Sequence, residues 1–211
     1  MFRTLTLILV VVLMISTASA EQRKGKSLFD GKTLKGWEGN EKFFRVEKGA
    51  IIGGSLKKRI PNNEFLCTKE KYQNFELRLK AKLVGEGKNA GIQFRSKRIP
   101  NHHEVIGFQC DIGAMKDRLI WGSLYDESRR RKFLAQGDAK KLAKAVKTDD
   151  WNEFVIRCEG PRIRIWVNGF QTVDHTEKEE NIANSGIIGL QIHSGPPAEA
   201  MYKDIQIRKL N

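Results

Sequence analysis

From Phe75 to Leu83 the chain alternates without a break: Phe75, Leu77, Leu79, Ala81 and Leu83 are apolar, and Glu76, Arg78, Lys80 and Lys82 between them are charged. Successive side chains of a β-strand point to opposite faces, so this pattern predicts a strand with one side in a core and the other in water. The same period returns at Phe154, Ile156 and Cys158, at Ile163, Ile165 and Val167, and at Ile188, Leu190 and Ile192. Lys48-Gly49 and Asn168-Gly169 sit between such runs as hairpin turns. Ten or more short strands with almost no helical pattern predict an all-β sandwich of two antiparallel sheets. No fixed repeat appears, which argues against a propeller or solenoid. Residues 132–147 are the least strand-like and are expected to form a lid-like loop with at most one short helix.

The first twenty residues stand apart. Arg3, the apolar run Leu5 to Ile15, and Ala18-Ser19-Ala20 follow the three-part plan of a cleavable secretory signal. The apolar run is shorter than the roughly 20 residues a membrane span needs, so stable membrane insertion after cleavage is not expected. The predicted organisation is a signal peptide at 1–20, a flexible lead-in at 21–27 and one β-sandwich domain at 28–211. The product would be exported to a periplasm or the extracellular space. A net charge of +13 favours acidic partners, but export makes nucleic acid a poor one, and scattered lysines also simply solvate a surface. The three cysteines, Cys67, Cys110 and Cys158, are odd in number and show no C-x-x-C spacing, so neither a disulfide framework nor a structural zinc is expected.

Function is most legible between Asn89 and Arg130. In Ala90–Ser96, Ile92 and Phe94 share one face while Gln93 and Arg95 share the other. In Glu104–Ile112, Phe108, Cys110 and Ile112 oppose Gln109 and Asp111. Each strand thus has an apolar back and a hydrogen-bonding front. Adding Glu104, Tyr125, Gln191 and His193, with the ring of Trp121 or Tyr125, yields a set suited to hydroxyl-rich sugars. Arg offers a planar fork of donors, Gln both donates and accepts, and carboxylates accept pairs of hydroxyls. The plain alternative is the wet side of an antiparallel sheet. Gln and Asp in place of Lys and Thr favour binding. On this reading Phe94, Phe108, Cys110, Leu190 and Ile192 lie between the sheets, and Gln93, Arg95, Gln109, Asp111, Gln191 and His193 line one open face.

Glu104, Asp111, Asp126 and Glu127 are the nearby carboxylates, and a pair of them could act as general acid and base if burial or like charge separates their pKa values. Asp126 and Glu127, followed by Arg129 and Arg130, read better as a loop held by ion pairs. His102, His103 and His193 could hold a divalent metal, although adjacent histidines on an extended loop should diverge. Ser96, Ser123 and Ser128 lie in no nucleophile elbow, and Gly85-Glu-Gly-Lys88 lacks P-loop spacing.

Leu28-Phe-Asp-Gly-Lys-Thr-Leu-Lys-Gly-Trp37 resembles the opening signature of the 3-keto-disaccharide hydrolase domain family. Ala90-Gly-Ile-Gln-Phe-Arg95, Gly107-Phe-Gln-Cys-Asp111, Trp151-Asn152, Trp166-Val-Asn-Gly169 and Gly189-Leu-Gln-Ile-His193 are similar to its later blocks. The resemblance spans Leu28 to Arg208 and departs from the family pattern at Cys110 and at Met201-Tyr-Lys-Asp204, where the family reads like Phe-Arg-Asn. It implies a concanavalin-like jelly-roll sandwich whose concave sheet forms the site, and action on glycosides or disaccharides already oxidised at C3. Such a ketone acidifies the C2 proton, so a base can remove it, the group on C1 leaves by β-elimination, and water adds to complete a net hydrolysis. On that implication Asp111 or Glu104 is the base, Arg95 with His193 stabilises the enolate, and Tyr125 is the acid. Gln93, Gln109, Gln191 and Trp121 hold the sugar. No cofactor is required, although a divalent metal could take part of the stabilising role. The competing expectation is a non-catalytic glycan-binding module, lectin-like or laminin-G-like. A conventional endoglucanase is disfavoured because no Glu-x-Asp-x-x-Glu motif is present.

Overall fold

The computed structural model describes residues 25–211; the expected signal peptide at 1–20 and residues 21–24 of the expected lead-in lie outside them. In chain order the strands are β1 Lys26–Ser27, β2 Trp37–Glu38, β3 Phe44–Glu47, β4 Ala50–Ser55, β5 Glu64–Thr68, β6 Phe75–Gly85, β7 Asn89–Arg98 and β8 Val105–Met115. There follow β9 Arg118–Leu119, β10 Leu124–Glu127, β11 Phe133–Ala135, β12 Asn152–Glu159, β13 Arg162–Val167, β14 Phe170–Thr176, β15 Ile187–Ile192 and β16 Ala198–Lys209. Among the described residues there is one helix, α1 Ala139–Ala145, capped by the Asp138 carboxylate, which accepts from the Lys141 backbone N–H at 2.8 Å. Residues 132–147, expected as a lid-like loop, therefore carry an edge strand and this helix, with Leu142 buried in the core. Residues 26–27 of the expected lead-in are not loose, since they pair with Ile207 and Gln206 of β16.

Two antiparallel sheets form the sandwich. One has the order β14-β13-β12-β6-β16-β4-β3, with β1 on β16; the other has the order β11-β10-β8-β7-β15-β5-β2, with β9 on β8. The alternation of β6 places Phe75, Leu77, Leu79, Ala81 and Leu83 inward, where Phe154 and Ile156 join them. Ile92, Phe94, Phe108, Cys110, Ile112, Leu190 and Ile192 fill the core from the second sheet. All three cysteines are free and buried, and packing like small hydrophobes is their evident role. Tyr202 of β16 crosses this core, and its hydroxyl donates to the Gln191 carbonyl at 2.5 Å, with the Gly91 carbonyl at 3.1 Å. Among the described residues no helix is long and apolar enough to cross a membrane.

The β7–β8 hairpin does not stay in its sheet. Its pairing slips between Phe94 and Lys97, Arg95 adopts φ 49° at the slip, and Gly107 opposite adopts φ 151°. A Cβ on Gly107 would run into Ser96, so only glycine lets the strands close here. Beyond this bulge Val105 packs with Phe65, Cys67 and Ile187 in a small second cluster on the sheet's outer face. Arg98 donates to the Phe65 carbonyl at 3.1 Å, and Asn63 donates through Nδ2 to Glu104 Oε1 at 2.9 Å. The hairpin tip thus arches over the outer face toward β5.

Candidate functional site

Register lays out the floor under this arch. Cys67, Gly189, Gln93, Gln109 and Tyr125 form one row across β5, β15, β7, β8 and β10; Phe65, Gln191, Gly91 and Asp111 form the next. Side chains of one row share a face. Gln93, Gln109, Asp111 and Gln191 therefore come together as expected, but not on an open surface. Their exposures are 0%, 2%, 3% and 0%. The expectation of an open face is corrected to a buried floor, on which the two glutamines and the carboxyl hydrogen-bond one another in place of water.

On that floor the polar groups form a directed chain. Ser96 Oγ donates to Gln93 Oε1 at 2.8 Å, Gln93 Nε2 donates to Gln109 Oε1 at 2.6 Å, and Gln109 Nε2 donates to Asp111 Oδ1 at 2.5 Å. Every link points its donor toward Asp111. Gly91 has no side chain, and the space it leaves is where the Gln109 side chain lies. Burial raises the Asp111 carboxyl from 3.8 to about 8; the Gln109 hydrogen bond pulls it down, and the charge of Glu127 pushes it up. Gln191, on the same row, has both side-chain amide atoms buried with no hydrogen-bond partner among the described residues. A buried amide with nothing to bond is costly and is a reason to look for a ligand there.

A second acidic group borders the floor. Alternation in β10 sends Tyr125 and Glu127 to the outer face and Leu124 and Asp126 inward. Asp126 is fully buried and paired with Arg129 at 2.8 Å and with Arg130, which also holds Glu177 at 2.5 Å and Glu179 at 2.8 Å. The ion-pair reading of this loop thus holds for Asp126 but not for Glu127. Glu127 accepts from the Ser128 backbone N–H at 3.2 Å, and Ser128 Oγ lies 3.5 Å from both Glu127 Oε1 and Glu104 Oε2. Burial and the neighbouring Glu104 charge raise the Glu127 carboxyl, and burial with the charges of Glu127 and Asp111 raises the Tyr125 phenol.

Other expected site residues go elsewhere. Arg95 sits at the bulge and leaves the face. Its guanidinium donates to the Gln73 carbonyl at 2.9 and 2.7 Å and to the Gly160 carbonyl at 2.7 Å, which ties β7 to neighbouring loops. Trp121 is a core residue, 5% exposed and stacked on Phe154 at 6.0 Å, because the turn before β10 folds it between the sheets. His193 lies just past β15, half-buried, with Nδ1 2.8 Å from the Ser194 carbonyl oxygen. The Ser194 N–H donates to Asn63 Oδ1 at 2.9 Å, so Asn63 joins this end of β15 to Glu104. His102 and His103 do not diverge but stack at 4.4 Å, with His103 Nδ1 3.1 Å from the Asn63 carbonyl oxygen. Among the described residues no three His, Cys, Asp or Glu side chains are grouped as a metal site. From the sequence, Ser128 is excluded only as a nucleophile, Glu127 reads better as part of an ion-paired loop than as an acid or base, and Asn63 has no assigned place at the site. The alternation of β10 was a usable signal for Glu127; Asn63 carries none.

A family model described as the 3-keto-alpha-glucoside-1,2-lyase-like domain matches residues 24–208. Among solved structures, a candidate glycosyl hydrolase from Parabacteroides distasonis aligns with TM-score 0.66 at 16% identity, over 90% of this chain and 96% of that one. A second such protein from the same organism aligns with TM-score 0.62 at 22% identity, over 88% and 98%. The carbohydrate-binding module CBM66 from Bacillus subtilis aligns with TM-score 0.60 at 14% identity, over 82% and 94%. At these identities the likenesses establish the concanavalin-like sandwich fold. No curated protein matches the sequence.

Proposed function

The chain belongs to the 3-keto-alpha-glucoside-1,2-lyase-like domain family, and from that premise we propose that it cleaves glycosides oxidised at C3 by elimination across C1 and C2, followed by hydration. The observation that carries this reading is Asp111: a carboxyl buried on the floor, oriented by Gln109 and raised to about 8. A general base works best with a pKa near the working pH, and burial supplies that here.

Asp111 takes the C2 proton. The C–H electron pair forms the C2–C3 enolate, and Gln191 Nε2 donates its N–H to the oxygen developing charge at C3, a role left open once Arg95 is committed to backbone carbonyls. The enolate then collapses, the C1–C2 double bond forms, and the C1–O bond breaks. Glu127, whose carboxyl burial and the Glu104 charge shift toward the protonated form, delivers a proton to the leaving oxygen. It suits this task better than the Tyr125 phenol, whose raised pKa makes it a weaker acid. Glu127 then takes a proton from a water whose hydroxyl adds to C1, and Asp111 returns its proton to C2, for a net hydrolysis that restores both groups. Gln93 and Gln109 hold the Asp111 carboxyl in place.

The test is release of the aglycone from a 3-keto glycoside by the wild type, by Asp111→Asn and by Glu127→Gln. Both variants should lose activity by about 10²-fold or more. Absence of release from any 3-keto glycoside, together with binding of an intact glycan, would make the domain a glycan-binding module instead.

A further inference from the structure

The outer face of the other sheet, on the far side of the sandwich, carries two grooves, one internally neutralised and one basic. The groove over β6, β12 and β13 is lined by Glu76, Arg78, Arg157 and Arg164 and is neutralised from within. Glu76 meets Arg78 at 3.0 Å and Arg157 and Arg208 at 3.4 Å, and Glu159 takes Arg157 at 2.7 Å and also pairs with Arg164. The second groove, about 280 Å³, has Ile52 and Met201 in its floor, Trp151 at its side, and the amines of Lys48, Lys82 and Lys203 around it. Lysine–carboxylate pairs among the described residues involve Lys26, Lys80 and Lys209, and none of these three. The one acid at the groove, Glu47, already faces Arg45 at 3.5 Å. Lys203 Nζ stands 4.2 Å from the centre of the Trp151 ring, which holds an ammonium beside an aromatic face.

We propose that this groove is a surface site for an anionic glycan, a chain bearing uronate or sulfate groups. The apolar floor and the indole suit the ring faces of sugars. Three amines on β16, β6 and the β3–β4 turn, with no carboxylate to satisfy them, suit acidic groups spaced along a polymer. The neighbouring groove lacks this capacity because its arginines are spent on their own glutamates. Its placement on the sheet opposite the Asp111 floor lets a polymer be held without covering that floor.

The probes are polygalacturonate and dextran sulfate, with neutral dextran as the control, titrated calorimetrically into the full chain. Both acidic polymers should bind, and binding should weaken as salt rises. Lys48→Ala/Lys82→Ala/Lys203→Ala should weaken it roughly tenfold, on the scale of three exposed charge pairs. Trp151→Ala should weaken it further. Lys57→Ala/Lys58→Ala/Arg59→Ala, which removes the same charge at the other end of β4, should leave it unchanged, and activity on 3-keto glycosides should be unaltered in all three. Equal losses in the two triple variants would reduce the effect to net charge and overturn the site. Equal binding of neutral dextran, or groove-dependent binding of phosphatidylglycerol vesicles without binding of either polymer, would overturn it as well.

Discussion

Replacing Asp111 with asparagine separates two consequences of burying one carboxyl. Asparagine keeps an oxygen for Gln109 Nε2 to donate to, but it cannot ionise. In the wild type the group titrates near its ordinary value when unfolded and at about 8 when folded. Between those values the folded state holds a proton that the unfolded state has released, so wild-type stability must fall as pH rises. Each unit is worth about 1.4 kcal/mol, which puts the full loss on the order of 5 kcal/mol once pH has passed through 8. Over the accessible stretch from about pH 5 to about pH 8, Asp111→Asn should gain roughly 4 kcal/mol relative to wild type. Urea unfolding at a series of pH values measures this directly as a widening gap between the two curves. Activity moves the other way: wild-type kcat/KM on a 3-keto glycoside should rise as Asp111 ionises, so its advantage over the variant, at least about 10²-fold near pH 8, should narrow as pH falls. Stability curves that run parallel within about 1 kcal/mol would mean that Asp111 titrates like an exposed carboxylate, and its assignment as the base would fall.

Further perturbations test the parts around it. Gln191→Leu removes an amide with no partner among the described residues, so thermal stability should hold or rise by about 1 kcal/mol while kcat falls roughly tenfold or more. A loss of stability instead would mean that the amide is satisfied within the fold. Gly107→Ala forces a side chain into Ser96 from a left-handed backbone and should cost at least about 2 kcal/mol, read as a lower melting temperature. Tyr202→Phe deletes the hydroxyl that reaches the Gln191 carbonyl and should cost about 1–2 kcal/mol in denaturant unfolding.

Alternation alone assigned the correct side of the sheet to most of the site. Phe94, Phe108, Cys110, Leu190 and Ile192 face the core, and Gln93, Gln109, Asp111 and Gln191 face away from it. It failed where a strand stops being regular. Arg95 has the same parity as Gln93, yet its positive φ at the bulge turns it toward Gln73 and Gly160. Trp121 precedes β10 in a turn, where no period applies, and the core claims its ring. The joining of Glu104 to Asn63 spans 41 residues and depends on a bend, so no local pattern could announce it.

Periodicity names the side of a strand but not the depth of that side, and depth is what the proposed chemistry requires. On a flat sheet Gln93, Gln109 and Asp111 would be solvated, and a carboxyl in water has a pKa too low to act as an effective base at neutrality. The bulge at Arg95, with Gly107 opposite, bends the hairpin tip over this face. It brings Val105 over Phe65 and Cys67 and sets Glu104 beside Glu127. The second carboxyl thereby gains a like-charge neighbour, and the Asp111 floor lies under cover. Gly107→Ala is therefore more than a stability probe. If the bend supplies the burial, the fraction of this variant that remains folded should show a kcat/KM profile displaced to lower pH, because Asp111 then returns toward its solvated pKa. A profile that keeps the wild-type midpoint while only the melting temperature falls would show that the arch closes the fold without tuning the base.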